Sequence, residues 1–251
     1  MRISIVQNAP VKGDWQSNLS ELDTLIGGGC GADIYVLPEM FATGQYIDPS
    51  GVVQTMDGPI VRWLLDKASS LNAAVCGTLP VAQDGSYYNR LCFAKPDGTI
   101  SFYDKHHLFT YSGEADHYSR GNKRVVIEFR GLRILLLICY DLRFPTFSRN
   151  HDDYDAVLYP ANWPEKRILA WDTLLRARAI ENQCFAIGVN RSGSDELGFY
   201  PGHSAIITPD GETLIQTDAE PQMLCAELDM EQLARFRAKF PVLQDADPHE
   251  F

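Results

Sequence analysis

Residues 155–160 read DAVLYP, and residues 33–38, which begin 122 positions earlier, read DIYVLP. Each is a short apolar run between an aspartate and a proline, the pattern of a buried strand that ends abruptly. A second pair repeats in the same order: Pro-Asp-Gly turns at 96–98 and 209–211 lie 113 positions apart, each between strand-like runs. Motifs this short can match by chance, but together they predict two similar halves.

Strand and helix patterns alternate along both halves. RISIVQ (2–7) and LRILLLI (132–138) favour buried strands, and apolar residues at helical spacing follow in 60–71 and in 168–179. If the repeat is real, two β/α halves face each other with helices on their outer faces. We therefore expect an α/β fold, a four-layer α-β-β-α sandwich formed by one domain over 1–251, whose tail from about 241 is either frayed or packed on another surface.

Composition excludes several classes of function. The formal charge is −11, with 22 Lys and Arg against 33 Asp and Glu, so nucleic acid is not an expected partner. No apolar run approaches the roughly 20 residues of a membrane span, and the first residues do not resemble a signal peptide. Six scattered cysteines without a C-x-x-C pair favour free thiols in the cytoplasm over a disulfide framework or a zinc site.

Three predicted strands end on chemically useful side chains. Glu39 follows DIYVLP, Lys105 follows TISFYD, and Cys139 follows RILLLI. Ligands of α/β proteins gather beyond the carboxyl ends of strands. A single buried cysteine is more often inert, and a single Glu or Lys after a strand is more often a solvated loop charge. The three together, however, form a set able to cleave an amide.

A thiol with a pKa of about 8.5 is mostly protonated at neutral pH and needs a base. Glu39 can take the proton of Cys139 and later pass it to the leaving amine. Lys105 and the backbone N–H of Tyr140 can stabilise the oxyanion if Cys139 lies on a tight elbow. A Cys-His hydrolase is the alternative, but none of the six histidines lies in a recognisable signature. This chemistry requires no metal and no cofactor.

Three segments, LPEMFATG (37–44), YDKHHLF (103–109) and LLLICYDLRFP (135–145), resemble the signatures of the carbon–nitrogen hydrolase, or nitrilase, superfamily. YPANWP (159–164) and RARAIENQ (176–183) resemble its later landmarks. The resemblance implies the α-β-β-α fold and the base, oxyanion and nucleophile roles just described. It also implies a second glutamate, which Glu114 matches, to orient the lysine and the substrate amide; an exposed loop acid is the alternative for Glu114.

The residues after the cysteine bear on the branch of the superfamily. Nitrilases usually have Trp-Glu there, whereas this chain has Tyr140-Asp141. CYDLRFP, ANWP and FPVLQDAD resemble the omega-amidase branch. That resemblance implies cofactor-free hydrolysis of the terminal amide of 2-oxo dicarboxylic acid monoamides, such as 2-oxoglutaramate and 2-oxosuccinamate, through a thioester. The family commonly dimerises, so the resemblance also implies a homodimer, and the partner subunit is a candidate for the surface on which the tail from about 241 packs.

Such substrates carry a carboxylate at the far end, which needs a basic anchor. Arg143 is the candidate, although it could instead form an ion pair that fixes the elbow. Asn162 and Trp163 are expected to line the cleft, with a core position the alternative for Trp163. The helix with Arg176, Arg178 and Glu181 is either a subunit interface or a solvated face. Alternative functions are hydrolysis of another small amide or N-carbamoyl compound, or a non-catalytic binding or scaffold role.

Overall fold

The computed structural model describes residues 1–27 and 29–246. Its strands are β1 (Arg2–Gln7), β2 (Ile34–Val36), β3 (Ala74–Gln83), β4 (Ser86–Ala94), β5 (Ile100–Asp104), β6 (Val125–Phe129), β7 (Leu132–Leu136), β8 (Ala156–Ala161), β9 (Phe185–Asn190), β10 (Ser192–Asp195), β11 (Gly198–Pro201), β12 (Ala205–Ile207), β13 (Thr213–Gln216) and β14 (Gln222–Glu227).

The α-helices of the same residues are α1 (Trp15–Gly27), α2 (Pro59–Leu71), α3 (Glu114–His117), α4 (Pro145–Ser148), α5 (Ile168–Asn182) and α6 (Met230–Lys239). Short 3₁₀ helices span Thr110–Ser112, Cys139–Arg143, Glu165–Arg167 and Val242–Asp245. None of these helices combines the length and apolar character needed to cross a bilayer.

Two six-stranded sheets carry the fold, and their topologies match. The first has the order β14-β1-β2-β3-β4-β5 and the second the order β13-β12-β9-β8-β7-β6. In each sheet three successive strands are parallel, β1-β2-β3 or β7-β8-β9, and two antiparallel strands extend that set. An antiparallel strand, β14 or β6, closes the opposite edge. The two predicted halves are therefore confirmed.

Successive side chains of each strand point to opposite faces of its sheet, and this shows what packs on each face. Ile3 and Ile5 of β1 belong to the apolar core that also contains Ile134 and Leu136 of β7, so the sheets pack face to face. The other face of the first sheet packs on α1 and α2, through residues such as Leu22 and Leu64. Trp171 of α5 joins the core of the second sheet. The expected four-layer α-β-β-α sandwich is confirmed.

Two packing details explain how the outer elements sit. A Cβ added to Gly188 of β9 would lie 2.6 Å from the Trp171 ring, so glycine lets α5 approach the sheet closely. The side chain of Asp229 accepts a hydrogen bond from the Gln232 N–H and caps α6.

Of the tail from about 241, residues 247–251 lie outside the described part of the chain, so its expected contact with a partner stays a prediction.

The expectation that every cysteine is a free thiol is wrong. Cys30, in the loop after α1, and Cys225, on β14, form a disulfide with their Cα atoms 6.5 Å apart. These residues are 195 positions apart in sequence, and only the pairing of β14 with β1 brings them together. Their spacing therefore contained no signal. Four cysteines remain free and buried: Cys76, Cys92, Cys139 and Cys184.

Candidate active site

Cys139 lies on a sharp elbow just beyond β7. Its φ of 43° is in the left-handed region, which non-glycine residues rarely adopt, and a short 3₁₀ helix begins at this residue. Such a conformation costs on the order of 1–3 kcal/mol and persists only where the surroundings hold it. The predicted strand-to-helix elbow is present, and the side chain of Cys139 faces a cavity.

Asp141 holds this elbow from within. Its fully buried carboxylate accepts hydrogen bonds from the Ile138 N–H at 3.0 Å and from the Tyr103 hydroxyl at 2.7 Å. It also accepts from the backbone N–H of His107 at 2.9 Å, and the His107 ring Nδ1 lies 2.8 Å away. Tyr103 and His107 flank Lys105 in sequence, so Asp141 fixes the nucleophile segment against the lysine segment. Sequence reasoning did not assign Asp141 this role.

The outer helix supports the same elbow. Arg178 of α5 is 3% exposed and donates from Nη2 to the Leu142 carbonyl at 2.6 Å and from Nη1 to Glu181 at 2.8 Å. The interpretation of this helix face as either an interface or a solvated face is therefore wrong for Arg178. A buried guanidinium needs a full set of acceptors, and the carbonyl end of the elbow supplies one.

Lys105 lies between two carboxylates. Its Nζ is 2.9 Å from Oε1 of Glu39 and 3.0 Å from each carboxylate oxygen of Glu114, and none of these side chains is more than 2% exposed. Burial lowers the pKa of Lys105, but the charges of Glu114 and Glu39 outweigh it and hold the pKa well above its ordinary value. The ammonium therefore stays charged, and Glu114 is not an exposed loop acid.

Neutral donors balance the remaining negative charge. Asn89 of β4 donates from Nδ2 to Glu39 at 2.8 Å and to Glu114 at 3.2 Å. The Asn162 N–H donates to the second oxygen of Glu39 at 2.9 Å, and the Phe109 N–H to Glu114 at 2.6 Å. Two buried carboxylates against one ammonium need such donors, because unpaired buried charge is costly. Sequence reasoning missed Asn89, which lies inside β4.

The thiol of Cys139 is 9% exposed. Burial raises its pKa well above the ordinary value, the negative charge of Glu39 raises it further, and Lys105 opposes both. A raised pKa favours the thiol over the thiolate, so attack by this sulfur calls for a base. Glu39 is the neighbouring carboxylate able to accept the thiol proton.

One cavity of about 460 Å³ joins these groups. The eight predicted site residues all line it: Glu39, Lys105, Glu114, Cys139, Tyr140, Arg143, Asn162 and Trp163. Within the described residues no histidine lines this cavity, and nothing accepts a hydrogen bond from the Tyr140 N–H. Trp163 occupies a core position and also lines the cavity. The residue is 3% exposed, and its ring centroid lies 5.5 Å from that of Trp171.

The mouth of the cavity carries further cations. Arg143, Lys166 and Arg167 line it, and in residues 1–27 and 29–246 no carboxylate forms an ion pair with any of them. The alternative role of Arg143, an ion pair fixing the elbow, is therefore not found. Lys166 and Arg167 were not among the predicted site residues. Over the same ranges no cluster of three or more His, Cys, Asp or Glu could hold a metal.

Comparison with known proteins agrees with this geometry. Residues 2–238 match the family described as carbon-nitrogen hydrolase. The chain belongs to this family. Omega-amidase YafV of Escherichia coli strain K12 is 45% identical over 249 residues, which cover 98% of this chain and 97% of that protein. The 2-oxoglutaramate amidase of Bacillus subtilis strain 168 is 36% identical, with 85% of each chain covered.

A solved carbon–nitrogen hydrolase is similar throughout. XC1258 of Xanthomonas campestris, a superfamily protein with an arsenic adduct in its active site, is 38% identical with a TM-score of 0.97, covering 100% of this chain and 98% of its own. The resemblance inferred from the sequence is confirmed, including the omega-amidase-like branch. The chain is an amidohydrolase of this carbon–nitrogen hydrolase family.

Proposed function

We propose that this carbon–nitrogen hydrolase cleaves the terminal amide of small 2-oxo dicarboxylic acid monoamides, such as 2-oxoglutaramate and 2-oxosuccinamate. The products are the diacid and ammonia, and Cys139 carries the acyl group as a thioester. The observation that carries the proposal is the charge pattern of the cavity. Its floor joins a thiol, an ammonium and two carboxylates, and its mouth presents cations without carboxylate partners.

The first half-reaction uses Glu39 and Cys139. Glu39 removes the thiol proton as the sulfur forms a bond to the amide carbon, giving a tetrahedral intermediate. The C–N bond then breaks, and protonated Glu39 returns the proton to the leaving nitrogen, which departs as ammonia. The raised pKa of the buried thiol supports this order, because it disfavours a thiolate formed before the attack.

The oxyanion is stabilised by Lys105 and by the N–H of Tyr140. The two carboxylates keep Lys105 charged, so it offers a fixed positive charge rather than a proton. The Tyr140 N–H follows directly after the nucleophile, in the position of the oxyanion donor on a nucleophile elbow. Glu114 orients Lys105 through its two contacts at 3.0 Å and is placed to meet the substrate amide.

Water then attacks the thioester with Glu39 as the base, the C–S bond breaks, and the thiol regains its proton. The backbone N–H of Asn162 donates a hydrogen bond to Glu39 and holds it in place for both steps. The side-chain amide of Asn162 donates a hydrogen bond to Gln45 at 2.6 Å and borders the substrate. Trp163 forms an apolar wall. Arg143 is the proposed partner of the distal carboxylate, because it lines the cavity and its donors have no carboxylate to bind.

Ammonia release tests this proposal against its alternatives. The panel contains 2-oxosuccinamate, glutamine, an N-carbamoyl amino acid and a simple nitrile, and we expect the highest kcat/KM for 2-oxosuccinamate. The carbamoyl compound as the best substrate would favour the alternative hydrolase, and turnover of the nitrile alone would contradict the branch. Ammonia release from none of them would favour a non-catalytic role.

Two cysteine variants test the mechanism with a matched control. Cys139→Ala should abolish turnover, whereas Cys184→Ala, which removes a buried thiol away from the cavity, should retain it. Full activity of Cys139→Ala would refute the thioester. Trapping of an acyl group on Cys139 by acid quench and mass spectrometry would support it directly.

We propose in addition that the chain is one domain, 1–251, and acts in the cytoplasm without metal or cofactor. We also propose that it is a homodimer, as the family resemblance implies. The Cys30–Cys225 disulfide is unusual for the cytoplasm, where thiol reductants keep such bonds rare. Alkylation of free thiols during lysis would test the compartment, since finding this bond formed in the cell would count against it. Light scattering of the purified protein would test the dimer.

A further inference from the structure

The mouth of the active-site cavity is positively charged in a chain whose net charge is −11. Three cationic side chains, Arg143, Lys166 and Arg167, line it together with one exposed carboxylate, Glu165, next to Lys166. Elsewhere in the described residues many arginines pair with carboxylates at 2.5–2.9 Å, as Arg90 does with Asp104 and Arg237 with Asp155. Arg143 and Arg167, which have no such partner, are placed beside one opening to receive an external anion.

Two of these cations are held in place without using their hydrogen-bond donors. The guanidinium of Arg143 lies 4.9 Å over the ring of Trp163, and that of Arg167 lies 5.2 Å over the ring of Phe109. An arginine stacked on an aromatic face is ordered by the ring, while its N–H groups in the plane remain able to bind a carboxylate. Lys166 is exposed and has no comparable aromatic contact in the described chain.

The two stacked arginines are joined through Trp163. Its indole N–H donates to the carbonyl of Arg167 at 2.7 Å, and its own backbone N–H donates to Asn190 at 2.7 Å. The ring that supports Arg143 is therefore fixed to the backbone that carries Arg167. The two arginines belong to different 3₁₀ helices, Cys139–Arg143 and Glu165–Arg167, and Trp163 links them beside the cavity, which is the pre-organisation that a specific anion site requires.

We propose that Arg167 is a specificity-determining residue that acts with Arg143 as a two-arginine anchor for the 2-oxo carboxylate end of the substrate. The 2-oxo carboxylate is a planar anion with three acceptor oxygens, so two planar guanidinium forks can bind it where one fork would leave an acceptor free. This inference rests on the proposed function and adds the residue that separates 2-oxo acid amides from neutral amides.

The test compares Arg167→Gln with Lys166→Gln, which removes the same charge from the neighbouring position. Steady-state kinetics use 2-oxosuccinamate and butanamide, a neutral amide of the same carbon number. We expect Arg167→Gln to raise KM for 2-oxosuccinamate about 10- to 100-fold, the range of one lost charge-assisted contact, and to leave butanamide kinetics unchanged. Lys166→Gln should leave both substrates unchanged.

Binding without turnover separates this inference from the proposed function. In a Cys139→Ala background, calorimetry gives the Kd of 2-oxosuccinamate with and without Arg167→Gln, and the same rise is expected even if the wild type hydrolyses another amide. The inference is overturned if Arg167→Gln leaves that Kd unchanged, if it raises both KM values alike, or if Lys166→Gln has an equal effect. Failure of Cys139→Ala to bind 2-oxosuccinamate would also overturn it.

Discussion

Replacement of Lys105 by methionine tests whether its charge stabilises the buried carboxylates of Glu39 and Glu114. Methionine has nearly the length of lysine, so Lys105→Met removes the ammonium with little change in packing. The ammonium contacts Glu39 at 2.9 Å and Glu114 at 3.0 Å, with all three side chains at most 2% exposed. Without it, two carboxylates remain in a dry cavity with only neutral donors around them.

The size of the effect follows from this burial. Removing one partner of a buried ion pair costs about 3–5 kcal/mol, because the other charge is left uncompensated. For a chain of this length each kcal/mol lowers Tm by about 2–4 °C, so we expect a fall of roughly 6–20 °C. Ammonia release should fall at least about 10²- to 10³-fold, the loss typical of one oxyanion donor.

A second substitution tests whether uncompensated negative charge causes the predicted loss of stability. Glu114→Gln added to Lys105→Met removes one of the two stranded carboxylates, so the double variant should be more stable than Lys105→Met by about 1–3 kcal/mol. Lys166→Met is the matched control, because this exposed lysine lines the same cavity without an ion pair; its effect should stay within about 0.5 kcal/mol.

Urea unfolding followed by tryptophan fluorescence, together with Tm, measures all of these stabilities. The reasoning is refuted if the double variant is no more stable than Lys105→Met, since the cost would then not arise from stranded negative charge. It is also refuted if Lys166→Met destabilises as much as Lys105→Met. Activity should not return in the double variant, which still lacks the ammonium.

Three further predictions concern the elbow, the thiol and the disulfide. Asp141→Asn leaves two of the donors around this side chain unpaired, so it should lower the free energy of unfolding by about 2–4 kcal/mol and lower kcat. An unchanged Tm would contradict the proposed role of Asp141 in holding the elbow. Alkylation followed by mass spectrometry should find Cys139 modified ahead of Cys184. Because burial raises the pKa of Cys139, the thiolate fraction and the alkylation rate should keep rising with pH through about 8.5, and a plateau below pH 7 would contradict this. Reduction of Cys30–Cys225 should lower stability by about 2–4 kcal/mol, measured as a Tm shift that Cys30→Ser/Cys225→Ser no longer shows; an unchanged Tm on reduction would contradict a stabilising role.

The candidate site was partly predictable because its reactive residues follow strands. Glu39 and Lys105 follow β2 and β5 of the first sheet, Cys139 follows β7 of the second, and the packing of the two sheets brings these strand ends together. Glu114 could be reached only through family resemblance, since its loop has no periodic pattern. Asn89 lies within β4 among buried residues, and no spacing rule connects it to the two glutamates that it bridges.

Local regularities let the amino-acid sequence by itself indicate the order of strands and helices, the repeat of the two sheets, and Glu39, Lys105 and Cys139 as candidate site residues. These depend on periodic burial and on residue chemistry, which neighbouring positions along the chain express. Only the tertiary structure decided that Asp141 clamps the elbow, that Arg178 turns inward, that Cys30 meets Cys225, and that Arg167 shares a cavity with Arg143. Each of these depends on the distance between segments that lie apart in sequence, and a residue type alone does not specify which distant partner will compensate its charge or satisfy its hydrogen bonds.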